Sequence, residues 1–352
     1  MFVEKSKYSY IYPIIPRDVG CHLGIKMCRG RSGGMETDEA AAVCERLIET
    51  LSEVVVVDRS VLETVLTGVL SRGHVLLEEV PGTGKTLTAQ SFATALGLSF
   101  NRIQFTPDLL PGDITGSHIY REQQGEFEFA EGPVFANVVL ADEINRAPPK
   151  TQAALLEAMS EGQVSADGTT YQLPDPFFVI ATQNPVEQEG TFALPEAQRD
   201  RFILKTSLGY PDTEGMRTIL DRRGDRTART PKPTQVVDGE TVGDLQEMPE
   251  TIAVDDGIRD YVIALGEATR ADDRVAVGVS PRGIQRLYEA SRSRALLSGR
   301  EYVAPDDVKA IVTEAFVHRI VLTSNATVRD VSPEAVISDV IESVEVPAVA
   351  VE

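Results

Sequence analysis

His74-Val75-Leu76-Leu77-Glu78-Glu79-Val80-Pro81-Gly82-Thr83-Gly84-Lys85-Thr86-Leu87 passes from an apolar run into a glycine-spaced loop and on into a string of helical character that ends near Leu96. Strand, glycine loop, helix is the order of a phosphate-binding turn, with His74 to Glu78 as the buried strand and Leu87 to Leu96 as the helix. Gly82 and Gly84 let backbone N–H groups close around phosphate oxygens, and the helix start at Lys85 adds its positive dipole end. The Lys85 ammonium can reach the outer phosphates, the Thr86 hydroxyl suits Mg2+, and Pro81, Thr83 and Leu87 complete the candidate nucleotide-binding turn. Glu79 stands where such loops usually have their first glycine, so its backbone must take a conformation that a side chain tolerates.

Working outward, short apolar runs at Phe100 to Phe105, Val138 to Ala141, Phe177 to Ala181 and Phe202 to Thr206 alternate with helical segments. That alternation predicts an α/β fold built on a parallel sheet with crossover helices. Two helices precede the sheet between Glu36 and about Leu70, the second placed for capping by Asp58. Beyond Pro211 strand signals stop, and helices are expected over Asp212 to Arg223, Asp256 to Arg270, Pro281 to Leu297 and Pro305 to Ile320, with Gly224 to Pro249 as a loop. The expected organisation is an N-terminal extension (1–34), disordered or not part of the true chain, an α/β nucleotide-binding domain (35–210), a smaller all-α domain (211–325) and a tail (326–352).

The run Val138-Val-Leu-Ala141 ends in Asp142-Glu143, two carboxylates that a buried strand has no structural reason to carry. Beside a phosphate loop, Asp142 is placed to hold Mg2+ together with Thr86, and Glu143 to polarise a water as general base, so ATP and Mg2+ are the expected cofactors.

Composition narrows the setting. The 352 residues carry 34 Lys plus Arg against 54 Asp plus Glu, a net charge of −20. An acidic body repels polyanions, which disfavours nucleic acid as a partner. An acid-rich, lysine-poor surface suits a cytoplasm at high salt, where screening suppresses self-repulsion, and points to a halophile. Residues 1–34 depart from this, with six Lys or Arg against Glu4 and Asp18, and Met35 offers itself as the true start. No apolar run nears the roughly 18 residues of a bilayer span, so no stable membrane insertion is expected. Three cysteines make no disulfide framework and suit a reducing compartment.

Ala141-Asp-Glu-Ile-Asn-Arg-Ala-Pro-Pro-Lys-Thr-Gln-Ala-Ala-Leu-Leu-Glu-Ala-Met159 resembles the extended magnesium motif of the MoxR family of AAA+ ATPases. The resemblance continues through Phe105 to Gly116, Gly125 to Phe129, Pro176 to Pro185 and Leu194 to Phe202, covers about residues 36 to 325, and is read as that of a haloarchaeal member. It implies an AAA+ P-loop core followed by a helical lid, and an ATPase acting as a homo-oligomeric ring, read as a hexamer. Such a ring remodels or matures client proteins, among them complexes with von Willebrand factor A domains, sometimes with metal insertion. It implies further that Asn184 is the first sensor, that Arg201 is an arginine finger offered to a neighbouring subunit with Arg199 as its rival, and that Arg282, in Ser280-Pro-Arg282, is the second sensor. Gly112 to Pro133 and Glu161 to Tyr171 are the family's two hairpin insertions, which usually face the ring pore. Val57-Asp58 replaces the Gly-Gln pair through which relatives contact adenine. Two alternatives stay open: a nucleotide-gated scaffold that hydrolyses slowly, motivated by Glu79, and a nucleic-acid motor.

Overall fold

The computed structural model describes residues 35–80, 82–123, 125–184, 191–225 and 232–347. The expected extension over 1–34, including Cys21, His22 and Cys28, and the candidate binding residue Pro81 lie outside them. Two helices, α1 (Thr37–Ser52) and α2 (Arg59–Leu70), lead into the first strand, β1 (Val75–Glu78). Asp58 does sit at the N-cap of α2, but its side chain accepts no capping hydrogen bond. The helix α3 (Lys85–Ala95) follows the loop, then β2 (Phe100–Gln104), the short α4 (Pro111–Thr115) and the hairpin β3 (Gly116–Arg121) and β4 (Glu126–Glu131). After β5 (Val138–Asp142) and α5 (Pro149–Glu161) comes a second hairpin, β6 (Gln163–Ala166) and β7 (Thr169–Gln172). The core closes with β8 (Phe178–Gln183), the turn α6 (Glu196–Arg199) and β9 (Leu204–Thr206).

Five strands form one parallel sheet in the order β2-β5-β8-β1-β9. Because strand side chains alternate between faces, each buried strand feeds two cores. Val75 and Leu77, Val138 and Leu140, and Phe178 and Ile180 face a cluster shared with α1, α2 and α3, while Leu76, Val139, Ala141, Val179 and Ala181 face one built with α5. The two hairpins lie against one another: the Phe129 and Tyr171 rings stack at 3.9 Å, and His118 Nδ1 meets Asp167 Oδ2 at 2.8 Å.

The remaining helices are α7 (Thr213–Asp225), α8 (Gly239–Glu247), α9 (Asp256–Ala271), α10 (Pro281–Leu297), α11 (Pro305–Lys309), α12 (Val312–Phe316), α13 (Ser324–Val328) and α14 (Pro333–Ser343). Four sequence expectations are corrected here. The expected loop over 224–249 contains α8, capped by Asp238 accepting from Thr241 N and anchored by Val242 and Leu245 in the core. The single helix expected over 305–320 breaks at Ile311 (φ −130°), which re-aims its second half. Strand structure does recur late, because β10 (Val275–Val277) and β11 (Val321–Leu322) pair antiparallel. The expected tail holds α14, whose Val336, Ile337 and Val340 are buried at helical spacing against the rest of the helical part. The helical part shares one apolar cluster with α1 and α2, and α10 is pinned to α2 by Ser293 Oγ on Ser71 Oγ (2.8 Å) and Arg294 Nη1 on Glu63 Oε2 (2.9 Å). No helix among the described residues is long and apolar enough to cross a membrane.

His74, buried just before β1, accepts from Val179 N through Nδ1 (3.1 Å) and meets Met159 O through Nε2 (3.0 Å). Only the neutral Nε2–H imidazole satisfies both partners, and burial lowers its pKa from 6.5 to about 4. Between those values the unfolded chain takes up a proton that the folded chain refuses, so this contribution, about 3 kcal/mol at most, is present above pH 6.5 and lost as pH falls toward 4. The melting temperature of His74→Gln is expected to fall less than that of wild type between pH 7 and pH 5. Equal falls in thermal scans of the two proteins would count against it.

Candidate functional site

Strand register assembles the site. Gln104 of β2 pairs with Asp142 of β5, Ala141 with Ala181 of β8, and Glu78 of β1 with Gln183. The carboxyl ends of four strands therefore lie side by side, which sets Gln104, Asp142, Glu143, Asn184 and the phosphate loop along one edge, the usual ligand edge of a parallel sheet. Gly82 (φ 91°) and Gly84 (φ 94°) hold left-handed backbone that other residues resist, with open space where a side chain would be. Gly84 is also the N-cap residue of α3, so the helix starts at Lys85 and aims its first N–H groups into the loop. Gly82, Gly84, Lys85, Thr86, Leu87, Arg102, Gln104, Asp142 and Glu143 line one cavity of about 290 Å3.

Lys85 is buried, with Nζ 3.8 Å from Asp142 Oδ1. Thr182 Oγ1 donates to Asp142 Oδ1 (2.7 Å) and accepts from Glu143 N (2.9 Å), so one β8 hydroxyl sets both acids. Glu143 itself has left-handed backbone (φ 59°, ψ 50°), rare for a side-chain-bearing residue and concentrated at functional sites. Asn184 is buried one residue past β8, and neither it nor Arg201 or Arg282 lines the cavity. Arg201 donates to Leu156 O and Ser160 Oγ of α5, whereas the buried Nε of Arg199 has no hydrogen-bond partner. Arg282 is exposed on the first turn of α10.

Three features escaped the sequence reading. Arg102 and Gln104, two apart on β2 and so on one face, reach the acids: Arg102 Nη2 donates to Asp142 Oδ2 (2.6 Å), and Gln104 Nε2 to Glu143 Oε2 (2.8 Å), which Arg146 Nε also approaches at 3.2 Å. Polar residues alternating out of a strand end were the available signal. A second, mostly apolar cavity of about 1030 Å3 opens beside Gly82, Gly84 and Leu87, lined by Glu53 to Val56, Tyr210, Pro211 and α7. Residues 53–56, and not Val57 or Asp58, form its wall. Finally, Glu79 lies outside the left-handed region, and its buried carboxylate accepts from Ser207 Oγ (2.8 Å), Gly209 N (3.1 Å) and Leu208 N. It ties the loop to the chain leaving β9, a long-range partnership invisible in local sequence.

No group of three or more His, Cys, Asp or Glu among the described residues could hold a metal by itself. The cavity does offer the hard oxygens of Thr86 and Asp142 next to the N–H groups of the glycine loop, a donor set that fits a magnesium ion sharing its coordination with phosphates and water.

Residues 74–204 match the family described as ATPase family associated with various cellular activities (AAA), and residues 267–340 match the AAA lid domain. The chain is 46% identical over 314 residues to Chaperone MoxR1 of Mycobacterium tuberculosis, covering 87% of this chain and 82% of that protein. It is 45% identical over 303 residues to the uncharacterized protein YeaC of Bacillus subtilis (86% and 94% covered), and 34% identical to Protein MoxR of Methylorubrum extorquens (81% and 88% covered). A crystal structure of a Cytophaga hutchinsonii chain, named as a presumed ATPase, superposes with a TM-score of 0.83 at 37% identity, covering 89% of this chain and 97% of that one. With a five-stranded parallel AAA core, a helical lid and this extent of likeness, the chain belongs to the MoxR family of AAA+ ATPases.

Proposed function

We propose that this ATPase works as a homo-oligomeric ring, a hexamer, that uses ATP hydrolysis to remodel or mature a client protein. The observation that carries the catalytic part is the single cavity that holds the phosphate loop, Lys85, Thr86, Asp142 and Glu143 at the carboxyl edge of the sheet, with the apolar cavity alongside for the base. The loop N–H groups and Lys85 are placed to hold the β and γ phosphates, and Thr86 and Asp142 would hold Mg2+, which when bound would neutralise phosphate charge. Glu143 takes the proton of the attacking water once Gln104 and Arg146 release its carboxylate, and Asn184 orients that water. Arg201 of a neighbouring subunit and Arg282 of the lid stabilise charge on the transferred group.

A client with a von Willebrand factor A domain, or one that receives a metal, follows from family likeness alone. The relatives reported above are bacterial, so they lend no support to an archaeal source. The net charge of −20 supports a high-salt cytoplasm, and Cys44, whose thiol burial pushes up to about 12, stays inert there. The slow scaffold loses its motive, since Glu79 is accommodated without left-handed backbone, and the acidic body argues against a nucleic-acid motor.

Sedimentation of the 38.3 kDa chain with a slowly hydrolysed ATP analogue, in dilute buffer and in molar salt, tests ring and setting together. A nucleotide-dependent shift to one large species and ATPase activity that rises with salt are expected. A chain that stays monomeric with nucleotide at every salt level would sink the ring, and activity greatest in dilute buffer would sink the halophile.

A further inference from the structure

Arg319, in the turn after α12, is almost fully buried, with 2% of its side chain exposed. Its guanidinium is spent mostly on one short segment of the core: Nε donates to Asp200 Oδ1 (2.7 Å), Nη2 to Phe202 O (2.6 Å) and Asp200 O (3.4 Å), and Nη1 to Ile203 O (3.0 Å), with a further bond from Nη1 to Ala315 O of α12. His318 Nε2 adds a bond to Phe202 O at 3.1 Å. The lid thus grips the backbone on both sides of Arg201. From the opposite side Ser280 Oγ, the N-cap of α10, reaches Asp200 Oδ2 at 3.4 Å. Gly283, in that same first turn, packs so closely that a Cβ there would lie 2.6 Å from Val279 Cγ1 and 2.7 Å from Arg319 Cδ. The stem of Arg319 therefore rests on the turn that carries Arg282, and its head holds the segment that carries Arg201.

A buried cation is a poor way to fill space, since an apolar residue of similar volume is as stable or more so, and its multidentate fork is suited to fixing geometry. We propose that Arg319 is a positioning residue that locks the Asp200–Ile203 segment to the first turn of α10, so that the lid and the Arg201 finger move as one piece. A lid responding to its own nucleotide would then place or withdraw the finger at the neighbour's site. Each side also has its own anchor, α10 to Ser71 and Glu63 and the 200–203 segment to His74 O through Ile203 N (2.9 Å), so Arg319 sets how the two lie against one another. The proposal rests on the reading of Arg201 as a finger that acts in the adjoining subunit.

The test compares Arg319→Lys, which keeps the charge but not the fork, with Gly283→Ala, which crowds the stem, and Val279 beside it, without removing a polar group. Arg201→Ala serves as the reference, and folding is followed by thermal melting. Both variants are expected to bind a fluorescent ATP analogue within about twofold of wild type and to lose at least about tenfold in kcat, since misplacing a catalytic group by about 1 Å costs up to about 10²-fold. Mixing either with Lys85→Ala subunits, whose fingers are intact, should restore part of the activity, which a general loss of folding would not allow. If Arg319→Lys does not fold, Gly283→Ala decides by itself. Wild-type kcat in the folded variants, or a loss that mixing does not relieve, overturns the lock while leaving the finger reading standing. Wild-type turnover in Arg201→Ala removes the finger reading, and the lock falls with it.

Discussion

Glu143→Gln is expected to reduce steady-state ATP turnover by at least about 10²-fold, the usual cost of losing a general base, while ATP is still bound. Binding should survive because the groups proposed to hold phosphate and magnesium are others that line the same cavity: the loop glycines and Lys85 for phosphate, Thr86 and Asp142 for the metal. The geometry of the acid should survive as well. Its left-handed backbone is secured by Glu143 N on Thr182 Oγ1 at 2.9 Å, and the strain of such a residue, about 1–3 kcal/mol, is carried by that surrounding structure and not by the carboxylate charge. A glutamine can still accept from Gln104 but cannot take a proton from water. The measurement is a pair of numbers for each protein, turnover in a coupled assay and affinity for a fluorescent ATP analogue. Turnover within about twofold of wild type would remove Glu143 from the role of base, and loss of affinity in parallel with turnover would make it a binding residue instead.

The second large effect concerns Arg201. Arg201→Ala subunits and Lys85→Ala subunits are each expected to be inactive alone, yet to regain activity when mixed, because an intact Lys85 site can then face an intact finger. A finger acting between subunits is worth on the order of 10³-fold or more in related phosphoryl-transfer systems, so even partial restoration is readily measured. In the isolated chain Arg201 is folded onto the end of α5 through Leu156 O and Ser160 Oγ, and it does not line its own cavity. Both bonds are made by Nη1, which leaves Nε and Nη2 outside them. Arg199 is the competing candidate, with a buried Nε that lacks a partner. Mixtures made under confirmed subunit exchange that stay as inactive as the separate mutants would exclude Arg201 as a finger in trans. Repeating them with Arg199→Ala then shows whether the neighbouring arginine takes that role.

The fold class and the phosphate side of the site were legible in the residues because both depend on interactions between near neighbours. An apolar run of strand length before Gly82-Thr-Gly84-Lys85 can satisfy its backbone only in a sheet, and the glycines permit only a tight loop there. A carboxylate pair at the end of Val138 to Ala141 was equally local, as was the second hairpin, whose Asp167-Gly168 turn carries its own signal, whereas the first was expected from the family resemblance. The boundaries that failed were those set by distant partners. Gly224 to Pro249 looks like a loop by composition, yet α8 forms within it because Val242 and Leu245 find a core to enter and Gln246 Nε2 finds Val69 O at 2.7 Å. In the same way α14 is a helix because its apolar stripe has somewhere to go.

By itself the sequence determined a parallel α/β core with a phosphate loop, an acid pair opposite it and a helical second part, since periodicity and turn chemistry act over a few residues. Only the tertiary structure decided what each charged side chain touches. Glu79, an anomaly in the loop, is the partner of Ser207 to Gly209; Arg102 and Gln104, unremarked on an exposed strand, hold Asp142 and Glu143; and Arg319, one arginine among many, closes on Asp200 from across the lid. These partners lie between 39 and 130 residues apart in the chain. Sheet register and helix packing bring them within hydrogen-bond reach, and no local pattern encodes either.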